Sequence, residues 1–192
     1  MVRLRLVCFV LALSLVLPAL PASAQMKTFQ LDPEKTTVEF TFGATLHTVR
    51  GSLQAKEGTI RFDPATGAAE GRVILDAASA TTGNSRRDRK MHEKILESRR
   101  FPEMVFTVER ISGTMNPAGR SEVQLHGTLE MHGTRRPIAL PAIALADGDR
   151  VTATGFLDLP YLEWGLADPS FFILRVAKQV HVEVKASGRL SG

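Results

Sequence analysis

The chain has 192 residues with a formal net charge of +4; 44% are hydrophobic, only 6% aromatic, and one is a cysteine. This length allows one domain with a core of its own. A single cysteine excludes a disulfide-stapled scaffold, and the small net charge makes the chain only mildly basic despite a sequence pI near 9.6.

Residues 1–24 have the layout of a secretory signal. Arg3 and Arg5 form a charged n-region, Leu6 to Leu17 an apolar h-region, and Ala22-Ser23-Ala24 a small-residue cleavage site after Pro18. The apolar run falls short of the ~20 residues a membrane span needs, so cleavage is expected, with the mature chain beginning at Gln25. Removing 24 of the 192 residues leaves 168, takes away Cys8, Arg3 and Arg5, and lowers the net charge to +2. The expected location is periplasmic or extracellular.

Asp32-Pro33 has turn chemistry. After it, Thr36 to Phe42 alternates Val38, Phe40 and Phe42 against Thr37, Glu39 and Thr41, which predicts the first full strand. His47 to Leu53 and Gly58 to Phe62 predict two more short strands, separated by polar Gln54 to Glu57. Asp63 to Gly67 predicts a turn leading into a strand at Gly71 to Leu75. Ser85 to Arg99 breaks the alternation: dense charge with Met91 and Ile95 at helical spacing predicts one short helix, capped by Ser85 with Asp88 three residues on, and ending before Pro102. Strands resume at Met104 to Arg110, where Met104, Phe106 and Val108 share a face.

Asn116-Pro-Ala-Gly119 turns the chain into its most regular stretch. Val123, Leu125, Leu129 and Met131 fall on one parity, and Glu122, Gln124, His126, Thr128 and Glu130 on the other. The pattern breaks at His132-Gly133-Thr134 and resumes with Ile138 and Leu140, so a tight hairpin is predicted. A turn on Gly133-Thr134 sets Leu129 opposite Ile138, whereas one on His132-Gly133 sets Glu130 opposite Arg135; both keep the apolar faces together. Pro137 should sit where its missing N–H points away from the partner strand. Asp147-Gly-Asp149 predicts another hairpin, followed by strands at Val151 to Leu159 and Val180 to Ala186. Between these two lies a loop, Pro160 to Ser170, with the only Tyr and the only Trp, Tyr161 and Trp164. Many short strands and a single helix predict an all-β fold, and consecutive hairpins favour an extended antiparallel up-and-down β-barrel of about eight strands.

Motifs for chemistry are scarce. His92-Glu93 begins like a zinc-protease helix, but Leu96 stands where the second His belongs. His126 and His132 share a parity, yet six residues of strand put them ~20 Å apart, too far for one metal ion; both are expected to face solvent. The sequence has no Gly-x-Ser-x-Gly elbow, Cys-His pair or P-loop. Asp88 and His92, four apart on the helix, could form the acid/base pair of a small hydrolase-type enzyme, with helix capping and the helix–barrel junction as structural alternatives. Arg86 to Lys90, Arg99-Arg100, Arg135-Arg136 and Arg175 are candidate partners for a phosphate headgroup, although a charge run on a helix is usually a solvated face.

Three strings together resemble a known family: Gly51-Ser-Leu53 followed by Gly58-Thr-Ile-Arg-Phe-Asp63; Arg87-Asp88 with His92 ahead of Phe101-Pro-Glu-Met-Val-Phe106; and Gly127-Thr-Leu-Glu-Met-His-Gly-Thr-Arg-Arg-Pro-Ile138. The last is similar to a Gly-x-Leu-Thr-x-x-Gly-x-x-Arg-Pro-Val pattern. The family is YceI, periplasmic lipocalin-like proteins described as polyisoprenoid-binding, and the resemblance covers nearly the whole mature chain. It implies one lipocalin-like barrel domain over residues 25–192 that holds a polyisoprenoid or other long-chain lipid in its lumen. No catalysis, cofactor, metal, nucleic acid or stable membrane insertion is expected.

On that reading the ligand contacts are Val38, Phe40, Phe42, Phe106, Val108, Leu129, Leu157, Tyr161, Trp164, Phe172, Arg175 and Val182, with Tyr161 and Trp164 forming a lid. The competing expectation is an outer-membrane barrel, because alternation alone does not say whether apolar side chains point in or out. The charged helix and a C-terminus ending Leu190-Ser-Gly192 count against it. Whether two copies pair as a homodimer is left open.

Overall fold

Alternating side chains need a surface to turn towards, and here they turn inward. The computed structural model describes residues 25–45, 47–170 and 175–192. Its strands are β1 Lys27–Leu31, β2 Thr37–Ala44, β3 His47–Phe62, β4 Ala68–Thr81, β5 Glu103–Thr114, β6 Gly119–Met131, β7 Thr134–Asp147, β8 Arg150–Leu159 and β9 Val180–Ser191. A 3-10 turn at Pro33–Lys35 separates β1 from β2, and both pair with β3 on one side and β9 on the other. They are two halves of one stave. Each later strand pairs antiparallel with the next, so the chain closes an eight-stranded up-and-down barrel. Closure leaves no edge strand to aggregate.

The expected strands are present, with longer bounds and one addition, β1. Gln54 to Glu57 does not interrupt a strand: β3 runs unbroken from His47 to Phe62. Its register against β4 shifts between Ala55 and Glu57, and at that bulge Lys56 and Glu57 both face water. Two outward residues in succession mimic a loop in the sequence.

The hairpin between β6 and β7 turns on His132-Gly133, both with positive φ (52° and 74°), the conformation a type I′ turn requires. Met131 therefore faces Thr134, and Glu130 faces Arg135, with 2.7 Å between carboxylate and guanidinium. Pro137 pairs with Thr128 in β6, and β8 joins β7 only from Ala142 onward, so the missing N–H has no strand to serve.

The predicted helix is shorter than expected. One α-helical stretch, α1, covers Ser85–Lys90 and continues as a π-type turn over Met91–Ile95. Its cap is Asn84, whose side chain accepts from the Arg87 N–H at 3.0 Å; Ser85 is already the first helical residue. Asp88 does not close a capping box. It turns back to the end of β4, accepting from Thr81 Oγ1 at 2.8 Å, from the Thr82 N–H at 2.9 Å and from the Thr82 hydroxyl. Burial pushes the Asp88 carboxyl up, but these bonds and the nearby Arg87 charge outweigh it and leave the pKa below the ordinary 3.8.

The outer surface is polar. Lys56 meets Glu103 at 2.8 Å, Arg61 meets Glu70 at 3.0 Å and Lys185 meets Glu183 at 3.1 Å. Exposed pairs of this kind stabilise little, but they mark a face turned to water. The outward band of an outer-membrane barrel is apolar, so the inside-out reading does not fit this barrel. Among the described residues no helix is long and apolar enough to cross a membrane.

Candidate functional site

The inward parities do not meet in the middle. A cavity of about 1070 Å³ runs along the barrel, at the upper end of the roughly 300–1000 Å³ typical of ligand pockets. One wall carries bulk: Phe29 from β1, Phe40 and Phe42 from β2 and Phe62 from β3. The facing wall is thin, because β7 presents Ala142, Ala144 and Ala146 and β8 presents Ala153 and Gly155, paired as Ala142 with Gly155 and Ala144 with Ala153. An eight-stranded barrel can fill its interior or leave it open. Here the row of small residues leaves it open.

Room is also made for the large side chains. Phe40 lies across β2–β3 from Gly51, where any Cβ would stand 2.2 Å from the Phe40 ring. Phe40 and Phe42 then stack along the wall, with centroids 6.4 Å apart. Buried side chains gather in three clusters, around Val38 and Phe40, around Ile60 and Ile111, and around Met131 and Tyr161.

Of the residues expected to contact a ligand, Val38, Phe40, Phe42, Phe106, Leu129, Leu157, Tyr161 and Val182 line the cavity. Three others do not. Val108 is 1% exposed and packs into the wall against Ile60 and Ile111. Arg175 is exposed and joins the chain near β2 through its backbone, accepting from the Thr45 N–H at 3.0 Å and donating to Thr45 Oγ1. Trp164 is buried as a plug rather than a lid.

That plug has a physical origin. β7 and β8 pair only over Ala142–Asp147 and Arg150–Gly155 and part beyond, and the 3-10 turn Tyr161–Trp164 packs at the opening. Trp164 Nε1 donates to the Leu129 carbonyl at 3.1 Å, and Arg136 Nε donates to the Glu163 carbonyl at 2.7 Å. Phe172 lies outside the described residues.

Tyr161 shows its ring to the cavity, while its hydroxyl is buried with no hydrogen-bond partner among the described residues. Burial pushes its pKa up, and the nearby Asp168 charge adds to the shift.

Asp88 and His92 do not form an acid/base pair. His92 Nε2 lies 2.9 Å from the Ala80 carbonyl, which can only accept, so Nε2 donates there, and Nδ1 lies 3.0 Å from the Ser98 hydroxyl. Both rings of bonds hold the helix to the barrel. His132, expected in solvent, has a side chain only 14% exposed, with Nε2 2.8 Å from Glu97 and its ring against Phe101. His126 meets Ser112 at 2.8 Å. Among the described residues no group of three or more His, Cys, Asp or Glu could hold a metal ion.

Sequence reasoning passed over the cavity's small wall, although Ala142, Ala144 and Ala146 stand at strand spacing. It also passed over Leu53, Met91, Ile95 and Leu96, which line the cavity from β3 and from the turns after α1.

The model of the YceI-like domain matches residues 29–187. The chain belongs to the YceI family. Among curated relatives, UPF0312 proteins of Pseudomonas savastanoi pv. phaseolicola and Pseudomonas syringae pv. syringae are 28% identical over 102 residues, which cover 52% of this YceI chain and 51% of each relative. The chain thus spans about half the length of the curated relatives it matches.

Solved structures share the fold. BcnA of Burkholderia cenocepacia has a TM-score of 0.66 at 18% identity, over 84% of this chain and 99% of that one. A polyisoprenoid binding domain from Saccharophagus degradans, implicated in plant cell wall breakdown, has a TM-score of 0.67 at 15% identity, over 85% and 98%. A YCEI protein of Campylobacter jejuni has a TM-score of 0.57 at 18% identity, over 76% and 86%.

Proposed function

We propose that this YceI-family chain is an exported lipid-binding protein that holds a polyisoprenoid or similar long-chain lipid in its barrel lumen, for carriage or storage, without chemistry of its own. The observation that carries the reading is the open lumen of about 1070 Å³, lined by Phe, Val, Leu and Ala from every stave. Each tail methylene moved from water into it contributes ~0.8 kcal/mol, so a long tail needs no covalent anchor. The Saccharophagus degradans likeness, a polyisoprenoid binding domain by its description, supports the same ligand class.

Val38, Phe40, Phe42, Phe106, Leu129, Leu157, Tyr161 and Val182 would meet the tail. A leader over residues 1–24, removed on export to the periplasm, would leave one domain over residues 25–192. Asp88 and His92 favour binding over hydrolysis, because each is committed to bonds that fix the helix.

The test is native mass spectrometry of protein purified without detergent from its own host, followed by organic extraction. A lipid-sized mass increment, released by solvent and identified as a long-chain lipid, is the expected result. Protein that neither carries nor takes up any lipid contradicts the reading.

A further inference from the structure

The two ends of the lumen differ in charge. At one end the lining includes one charge of each sign, Lys27 and Asp149; Lys27 Nζ donates to the Gly192 carbonyl oxygen, and Asp149 lies 3.6 Å from Arg189. At the other end the charged residues that line the opening are Arg86, Arg87 and Lys90, all from α1. No carboxylate lines the lumen there among the described residues.

Spacing puts these cations on one face. Arg86 and Lys90 are four apart and Arg87 and Lys90 three apart, so their side chains are neighbours on the helix surface. Arg87 is fixed, with Nε donating to Thr82 Oγ1 at 2.7 Å and Nη2 to the Thr82 carbonyl at 3.1 Å, and it shares the field of Asp88. Arg86 and Lys90 are exposed and have no ion-pair partner among the described residues. Like charges at this spacing destabilise a helix, and a local conflict of that kind marks a functional position in a chain otherwise consistent with its fold.

The same segment then changes character. One turn on, Met91, Ile95 and Leu96 line the lumen and pack against the buried clusters. Cation followed by apolar wall, along one continuous surface, matches an amphiphile with an anionic head and an apolar tail. The other candidate anion sites, Arg99, Arg100, Arg135, Arg136 and Arg175, do not line the lumen, and Arg135 is paired with Glu130 and Arg136 with Glu163.

We propose that Arg86 and Lys90, supported by Arg87, form a headgroup site that selects lipids ending in a phosphate or carboxylate and orients them with the head at α1. The inference rests on the lumen reading above and adds the chemical class of the headgroup. Guanidinium and ammonium groups recognise an oxyanion through charge-assisted hydrogen bonds.

The test measures binding of farnesyl phosphate and farnesol, which share a tail, by calorimetry at low salt. The protein is expected to bind farnesyl phosphate about ten- to a hundredfold more tightly, with the margin shrinking as salt is raised. The double variant Arg86→Gln/Lys90→Gln should lose that margin, and Arg86→Lys/Lys90→Arg, which keeps both charges, should retain it. Unchanged circular dichroism and urea midpoints no lower than those of the unaltered protein establish that the helix still forms.

Equal binding of the two probes overturns the headgroup site and leaves the lumen reading standing. So does a margin that survives in the Gln variant. Failure of both probes to bind overturns the lumen reading and the headgroup site together. Millimolar inorganic phosphate, compared with sodium chloride of equal ionic strength, should not displace farnesyl phosphate; displacement assigns the cations to free anions and overturns the proposal.

Discussion

Filling the lumen from its thin wall should weaken tail binding strongly without unfolding the barrel. Ala144 lies mid-strand in β7, faces the cavity and is paired with Ala153, so Ala144→Trp directs an indole into open space rather than into packed neighbours. An indole there displaces a tail segment of about four methylenes, and at ~0.8 kcal/mol each the loss is about 3 kcal/mol. That corresponds to a Kd weaker by roughly two orders of magnitude. The next residue supplies the control: Leu145 points outward and is 52% exposed, so Leu145→Trp adds the same side chain on the opposite face. Both variants should keep urea midpoints within roughly 1 kcal/mol of the unaltered protein, since neither overpacks the core. The assay is calorimetric titration with farnesol. Equal affinities for Ala144→Trp and the unaltered protein, or equal weakening by both variants, would refute the placement of the tail.

Other expectations follow from the same geometry. Gly127→Ala puts a Cβ 2.0 Å from the Thr107 carbonyl oxygen across the β5–β6 pair, where backbone cannot yield cheaply; a loss of about 1–3 kcal/mol in urea unfolding is expected. Trp164→Phe keeps most of the plug but removes the hydrogen bond from the indole to the Leu129 carbonyl, and should lower stability by about 0.5–1.5 kcal/mol in the same assay. Asp88→Asn reads out the helix anchor through pH. Because the folded carboxyl titrates below its ordinary 3.8, the stability it contributes is fully present above that value and is lost as pH falls through the lower folded one. The difference between the unaltered protein and Asp88→Asn should therefore be constant near neutral pH and shrink below pH 3.8 in urea titrations across the acid range.

Strand parity was legible in the sequence because one face of every stave is apolar, and Val38, Phe40 and Phe42 or Val180, Val182 and Val184 announce that face directly. The closed meander followed from tight turns such as Gly148-Asp149 between β7 and β8. Less was legible where a bulge changes the period. At Lys56-Glu57 two outward residues in a row disguised the middle of β3 as a loop, and β1 is too short for its alternation to stand out.

The site was legible by half. Large apolar residues on the inward parity could be named in advance, but whether they met in the middle could not, since that depends on Ala142, Ala144, Ala146, Ala153 and Gly155 lying opposite the phenylalanines. Trp164 looked like a lid because a loop aromatic between Pro and Gly usually has no strand to fill in for. The parting of β7 from β8, which the sequence does not announce, gives it one. His132 looked solvent-facing on parity alone, until the segment after the helix brought Glu97 and Phe101 against it.

The most direct test of the hollow, tail-holding lumen is electron density in crystals of protein purified from its own host without detergent. Elongated density running from the α1 opening past Phe40 and Ala144 is the predicted result. A lumen closed by its own side chains, or filled only with water in protein that yields no extractable lipid, would contradict it.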